Sequence, residues 1–322
     1  MKRALATGGA LVLLLTACAA DQVPEATTTT DEQATVTEAT TASETTVTTD
    51  SGPFAVVEAA NGTVEIPERP DAVVSLSPTA TEMLFAIGAG TQVVAVDEFS
   101  YYPEEAPVTD LSGFTPNLEA IASYEPDLVV VSNDTDGIVA ALGEVGVPAL
   151  LLPAAVTFDD VYGQIRALGI ATGNVESAET VATDLESEIE ELIRGVGDRG
   201  EGLTVYHELD STLYSVTSIT FVGQVYEAFG LENIADAADV DGFGYPQLSS
   251  EYVLEQDPDL IVITDCCGDT PETVGERPGW DSISAVRNDA VAVVDSDVAS
   301  RWGPRTSEFI RIVADVIGDL ER

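Results

Sequence analysis

Short apolar runs alternate with helical patterns along most of this chain. Ala72-Val73-Val74-Ser75-Leu76 reads as a buried strand. Ser77-Pro78-Thr79 then starts a helix with Pro at its first position, and Thr79 to Glu82 fits a capping box. That helix runs through Met83, Leu84 and Ile87 to a stop at Gly88. The same reading predicts a strand over Gln92 to Val96, a short helix over Leu118 to Tyr124 and a strand over Leu128 to Val131. Ile138 to Val145 follows as a helix and Ala149 to Leu152 as a strand. Repeated units of this kind predict an α/β fold with a mainly parallel sheet covered on both faces.

A long helical region interrupts the pattern. Phe158 to Leu168 reads as one helix, and Ser177 to Val196 as another, with Val181, Leu185, Ile189, Leu192 and Val196 on one stripe. The alternation then restarts: strands at Leu203 to His207, Leu260 to Thr264 and Ala290 to Val294, with helices at Phe221 to Phe229, Tyr252 to Gln256 and Thr306 to Leu320. The order is lobe (54–157), helical connector (158–198), lobe (199–322). Gly195-Val196-Gly197-Asp198-Arg199-Gly200 matches a dinucleotide fingerprint letter by letter, but it ends a helix and precedes a strand. Phosphate binding needs the opposite order, a loop that leaves a strand and opens a helix, so this segment is a turn.

One device occurs in both lobes. Asn117-Leu118-Glu119 leads through a short helix to Glu125-Pro126-Asp127-Leu128, and Ser249-Ser250-Glu251 leads to Asp257-Pro258-Asp259-Leu260. Each copy enters an apolar strand at Pro-Asp-Leu and carries a Glu at its third position. A carboxylate in a first helical turn is favoured by the helix dipole.

The amino terminus adds an address. Lys2 and Arg3 precede an apolar stretch around Leu11 to Leu15 that is too short to span a bilayer. Leu15-Thr16-Ala17-Cys18 resembles a lipobox, which implies a signal peptide over 1–17 and lipidation of Cys18. Such an anchor is the expected membrane contact, on the outer face of the cytoplasmic membrane. The rest of the 18–53 segment is Thr-, Ala-, Asp- and Glu-rich and is expected to be a disordered linker. The folded part is then roughly 270 residues, enough for two domains.

Charge narrows the partners. The formal net charge is −45, and Lys2 is the only lysine. Phosphate backbones require clustered cations, so a nucleic-acid partner is excluded. Such acidity suits solubility in a salty habitat. His207 is the only histidine and lies on a predicted strand; with no Ser-His-Asp order and no metal-spaced cluster, catalytic machinery is not visible. Cys266 and Cys267 are adjacent, which makes neither a disulfide framework nor a spaced metal site; a strained vicinal disulfide is open to them outside the cytoplasm.

Several stretches together resemble the periplasmic-binding proteins for cobalamin and ferric siderophores. They are Arg69-Pro70 with Val74-Ser75-Leu76-Ser77-Pro78, Thr81-Glu82 with Gly88, Phe99-Ser100-Tyr101-Tyr102-Pro103, Asn117-Leu118-Glu119, Gly230-Leu231-Glu232-Asn233-Ile234, and Ser300-Arg301-Trp302-Gly303-Pro304-Arg305. The resemblance covers about residues 56 to 320. It implies two Rossmann-like lobes joined by a single long helix, with a ligand held between them and little hinge closure.

The resemblance also implies roles. Glu119 and Glu251 match the carboxylates that dock such proteins onto an ABC importer permease, one per lobe. Phe99, Phe114, Tyr214 and Tyr245, with Phe243 beside the last, match positions that pack against a bulky ligand. Ser77 lies at a helix start facing the cleft, and Arg301 is expected to present a guanidinium fork to the ligand. Arg305 suits a structural role equally. The expected function is capture of a metal chelate and its delivery by a monomer, with no covalent chemistry and no resident cofactor. A cobalamin-like corrinoid and a ferric siderophore stand closest as ligands, with haem third. An extracytoplasmic enzyme or a sensor partner on the same fold is the alternative.

Overall fold

The computed structural model describes residues 52–320. The expected signal peptide, Cys18 and the linker up to residue 51 lie outside the described residues. The described chain begins with an antiparallel hairpin, β1 (Ala55–Ala59) and β2 (Gly62–Ile66). Then follow β3 (Val73–Leu76), α1 (Pro78–Ala86), β4 (Val93–Asp97), β5 (Val108–Leu111), α2 (Leu118–Ala122), β6 (Leu128–Val131), α3 (Ile138–Glu144) and β7 (Ala149–Leu151). These strands form a parallel sheet in the order β5-β4-β3-β6-β7. Its central strands β3 and β6 bury every side chain, which is why both read as unbroken apolar runs. Ile121, Ile138 and Leu142 of α2 and α3 cover one face, while α1 packs on the other.

Two helices leave this lobe, α4 (Phe158–Thr172) and α5 (Val175–Val196). The second lobe contains β8 (Thr204–Glu208), α6 (Phe221–Ala228), β9 (Glu232–Asn233), α7 (Ser250–Gln256), β10 (Leu260–Thr264), α8 (Pro271–Gly275), α9 (Ser284–Arg287), β11 (Val291–Val294), α10 (Ser296–Ser300) and α11 (Thr306–Asp319). Its sheet is also parallel, in the order β11-β10-β8-β9. The fold is therefore two Rossmann-like lobes joined by one long helix. One continuous apolar core runs from the first lobe through α4 and α5 into the second.

The 22 residues of α5 span about 33 Å at 1.5 Å per residue. This helix packs against α4 on one side and α11 on the other. Its buried positions are Ala178, Ala182, Leu185, Ile189 and Val196, so the stripe differs from the expected one at Val181 and Leu192. Val181 and Leu192 are only partly buried, and two alanines take the inner positions. The reason is close approach: a Cβ on Gly169 of α4 would lie 2.3 Å from the Ala178 Cβ. Small residues let the two helix backbones come together.

The turn at 195–200 is structural, as its place in the order predicts. Arg199 donates to the carbonyls of Gly195 and Val196 at 3.0 Å and of Gly318 at 3.2 Å, closing the end of α5 against α11. The sequence reading did not identify β1, β2, β5, β9, α8, α9 or α10, which are short or lie at sheet edges. Asn61 shows how the hairpin is held. Its side-chain amide donates to the Ala149 carbonyl at 2.9 Å and accepts from the Leu151 amide at 3.1 Å, fixing the hairpin to β7.

Candidate ligand-binding cleft

A cavity of about 560 Å³ lies at the carboxyl ends of the first lobe's strands. Leu76 and Ser77 end β3, Asp97 ends β4, Ser132 and Asn133 follow β6, and Leu152 and Pro153 follow β7; all border it. The facing wall comes from the second lobe, through Asp297, Ser300, Arg301 and Trp302 on and after α10. The site is thus an inter-lobe cleft at strand carboxyl ends, the usual ligand position in open α/β sheets. Its volume falls within the range of small-molecule sites.

Phe99 and Phe114 stand at the mouth, packed edge to face with ring centroids 5.7 Å apart. Phe114 is 68% exposed, a large apolar surface left uncovered by the protein itself. Gly113 lets its loop lie against the end of β3, since a Cβ there would meet the Leu76 carbonyl oxygen at 2.6 Å. Ser77 caps α1, its hydroxyl accepting from the Ala80 amide at 3.3 Å. Asp97 is buried, and burial pushes its carboxyl group up despite hydrogen bonds from the Phe99 amide (2.9 Å) and the Ser100 hydroxyl (3.0 Å).

Arg301 borders the cleft, but its fork is engaged by the protein. Nη2 donates to Asp297 at 2.8 Å and to the Phe99 carbonyl at 3.0 Å, while Nη1 lies 3.6 Å from Glu82. Its guanidinium carbon also sits 4.5 Å from the Tyr101 ring centroid, and the Tyr101 hydroxyl donates to Asp297 at 2.5 Å. A guanidinium buried at a lobe junction must be paired, and here it straps the Phe99 loop to α10. Nη1 alone has no hydrogen-bond partner. Arg305 has the structural place: its Nε and Nη2 donate to Glu82 at 2.8 and 2.5 Å, and its guanidinium lies over the Tyr102 ring.

The other expected aromatics lie apart from this cavity lining. Tyr214 and Gln247 form an antiparallel bridge, and the 214–217 and 244–247 segments pair through Ser215 to Pro246 and Thr217 to Gly244. Tyr214, Phe243 and Tyr245 therefore share one ribbon of the second lobe, with exposures of 42%, 78% and 47%. Asp239 holds that ribbon by accepting from the Gly244 amide at 2.8 Å.

Glu119 and Glu251 are both exposed, each in the first turn of its helix behind an N-cap, Asn117 and Ser249 respectively. His207 is fully buried away from the cleft. Its Nδ1 pairs with the Tyr226 hydroxyl at 2.6 Å, its ring packs on Phe309, and burial pushes it down to about 3. Cys266 and Cys267 are free and exposed. Asp97, Asn133, Asp297 and Trp302 border the cleft without having been singled out from the sequence. Asp97 ends a strand, and that position alone was a usable signal.

A sequence model of the periplasmic binding protein family matches residues 73–298. An uncharacterized ABC transporter substrate-binding lipoprotein of Bacillus subtilis, YvrC, is 30% identical over 279 residues, covering 84% of this chain and 87% of that protein. A vitamin B12-binding protein of Pectobacterium carotovorum is 33% identical over 245 residues, covering 73% of this chain and 84% of the relative. Among solved structures, the periplasmic heme-binding protein RhuT from Roseiflexus superposes with a TM-score of 0.67 at 24% identity, covering 78% of this chain and 98% of that one. The matched span takes in both sheets, α5 and most of the cleft: this chain belongs to the periplasmic binding protein family.

Proposed function

We propose that this chain is an extracytoplasmic lipoprotein that captures a corrinoid of the cobalamin type in the inter-lobe cleft and hands it to an ABC importer. The observation that carries the ligand class is the chemistry of the cleft. Exposed Phe99 and Phe114 offer flat apolar surface to a large macrocycle. The polar groups around them include the carboxylate acceptors of Asp97 and Asp297, and the nearest cation, Arg301, is already paired. Such a wall suits a ligand edged with amide N–H donors, as corrinoids are. It disfavours chelates that present several carboxylates. The vitamin B12-binding relative supports the same choice.

A ferric siderophore is the second reading, and Arg301 Nη1 favours it, because a buried donor without a partner attracts an anionic oxygen. Calorimetric titration with cyanocobalamin, ferric hydroxamate and catecholate siderophores, and haemin separates these readings. Micromolar or tighter binding of cyanocobalamin alone is expected; binding of a siderophore or haemin in its place overturns the corrinoid assignment.

Docking falls to Glu119 and Glu251. Each stands in the first turn of the helix that precedes a central strand of its lobe. Two carboxylates, one on each lobe, match the two-fold character of a permease dimer. Charge reversal at both, Glu119→Arg with Glu251→Arg, is expected to abolish uptake while leaving ligand affinity unchanged. Uptake at the wild-type rate sinks the docking role. The Cys18 anchor is checked by metabolic labelling with a fatty acid, which Cys18→Ser is expected to remove.

A further inference from the structure

We infer that Cys266 and Cys267 form a reversible dithiol–disulfide site whose state is transmitted to the α10 wall of the ligand cleft and to the aromatic ribbon of the second lobe. The pair lies in a one-turn segment, Asp265–Cys267, directly after β10. Both thiols are free and exposed, so each is open to a soluble oxidant. The two cysteines are neighbours in this turn, and burial together with the adjacent Cys267 thiol pushes the Cys266 thiol up. Membership of a family of periplasmic proteins sets the pair in a compartment where thiols oxidise.

Two short connections lead from this turn, one to the aromatic ribbon and one to the α10 wall of the cleft. Cys266 Sγ donates to the Leu209 carbonyl at 3.4 Å, and the Leu209 amide donates to the Tyr214 carbonyl at 2.8 Å. Tyr214 heads the ribbon that carries Phe243 and Tyr245. On the other side, Asp265 Oδ1 accepts from the Ser296 amide at 2.8 Å. Ser296 begins α10, which carries Asp297 and leads into Arg301 and Trp302. One turn thus holds the start of the α10 wall and the base of the aromatic ribbon.

Closing the pair must disturb that turn. Neighbouring Cα atoms lie about 3.8 Å apart across a trans peptide, below the roughly 4.4–6.8 Å that relaxed disulfides span. The peptide between the two cysteines therefore distorts on oxidation, and Cys266 Sγ leaves the Leu209 carbonyl. A strained, exposed disulfide is also easily reduced, which makes the site reversible.

The oxidant is a small exogenous disulfide. The Cys267 thiolate attacks one of its sulfurs, its S–S bond breaks, and one small thiolate departs. The Cys266 thiolate then attacks the Cys267 sulfur and expels the second. The two protons lost by the protein end on the two small thiols, so one disulfide is reduced as one is formed.

The test treats the chain carrying Cys18→Ser, in which Cys266 and Cys267 are the remaining cysteines, with oxidised glutathione and follows intact mass together with amide hydrogen exchange. Expected is a loss of two hydrogens, reversed by dithiothreitol, with exchange rising about threefold or more in 209–215 and 296–302. Cys266→Ser and Cys267→Ser should each stop at a stable glutathione adduct, and the double variant should show neither change. Stable adducts on the chain that keeps both Cys266 and Cys267, or oxidation without any change in those two segments, overturn the proposal. Neither readout depends on which chelate fills the cleft.

Discussion

His207 shows how one buried side chain ties stability to pH. It is the only histidine, wholly enclosed, with Nε2 unpartnered and its protonation pushed down to about 3 from an ordinary 6.5. The unfolded chain therefore takes up a proton as pH falls through 6.5 while the folded chain does not. This contribution is fully present above that value and is lost as pH drops toward 3, at about 1.4 kcal/mol per pH unit. Between about pH 7 and about pH 5 the wild-type chain is expected to lose about 2 kcal/mol more than His207→Gln. Urea unfolding at both pH values measures it, and parallel losses in the two proteins would contradict the assignment. The sequence showed only that His207 sits on a strand; its enclosure by Tyr226 and Phe309 comes from elements far along the chain. Arg301 is the converse case. Its place at the cleft was legible from the flanking motif, but its approach to Glu82 was not, because Glu82 reaches it from the other lobe, whereas Asp297 lies one helical turn before it.

At the scale of elements, the packing of α4 on α5 makes a sharp contrast between two glycines of one helix. Gly163 of α4 has open space where a Cβ would go, while at Gly169 the Cβ would strike Ala178. Ala is favoured over Gly in a helix interior, so Gly163→Ala is expected to stabilise by about 0.5–1 kcal/mol. Gly169→Ala is expected to destabilise by about 1–3 kcal/mol, because overpacking outweighs the helix preference. Thermal denaturation of the two variants should shift in opposite directions; a shared upward shift would mean the helices are not in contact. The central strands were legible with near-correct ends because they are short, β-branched-rich apolar runs, which favour strands buried on both faces. The β1–β2 hairpin was not, since its strands alternate weakly and rely on Asn61 bonding to β7.

For the whole molecule, charge dominates. A formal net charge of −45 loads the folded chain with self-repulsion that salt screens within about 8–10 Å at ordinary ionic strength. The melting temperature is expected to rise by several degrees between about 0.05 M and about 1 M sodium chloride. Calorimetry in the two buffers checks this, and a melting temperature that falls with salt would show that attractive pairs outweigh the repulsion. Two observations favour a rise. Arg166–Glu179 and Arg194–Glu190 are exposed pairs of small worth, whereas the Glu82 and Glu208 pairs are buried beyond the reach of screening.

By itself the sequence determined the class of the fold, the two-lobed order, the long connecting helix and the repeated Glu-bearing step before a central strand. Those features are local: apolar period, helix starts and stops, and composition all act within a few residues. Tertiary structure alone decided which side chains share the cleft. Ser77, Phe99, Phe114 and Arg301 meet at strand ends from two lobes, while Tyr214, Phe243 and Tyr245 gather on a separate ribbon. It also decided that Arg301 is a strap rather than a free fork, and that adjacent cysteines stand beside the supports of the α10 wall and of the aromatic ribbon. The Arg301 strap depends on a contact between residues 202 positions apart, and the contacts around the cysteines span 31 and 57 positions; no local pattern encodes which of many carboxylates will lie within reach.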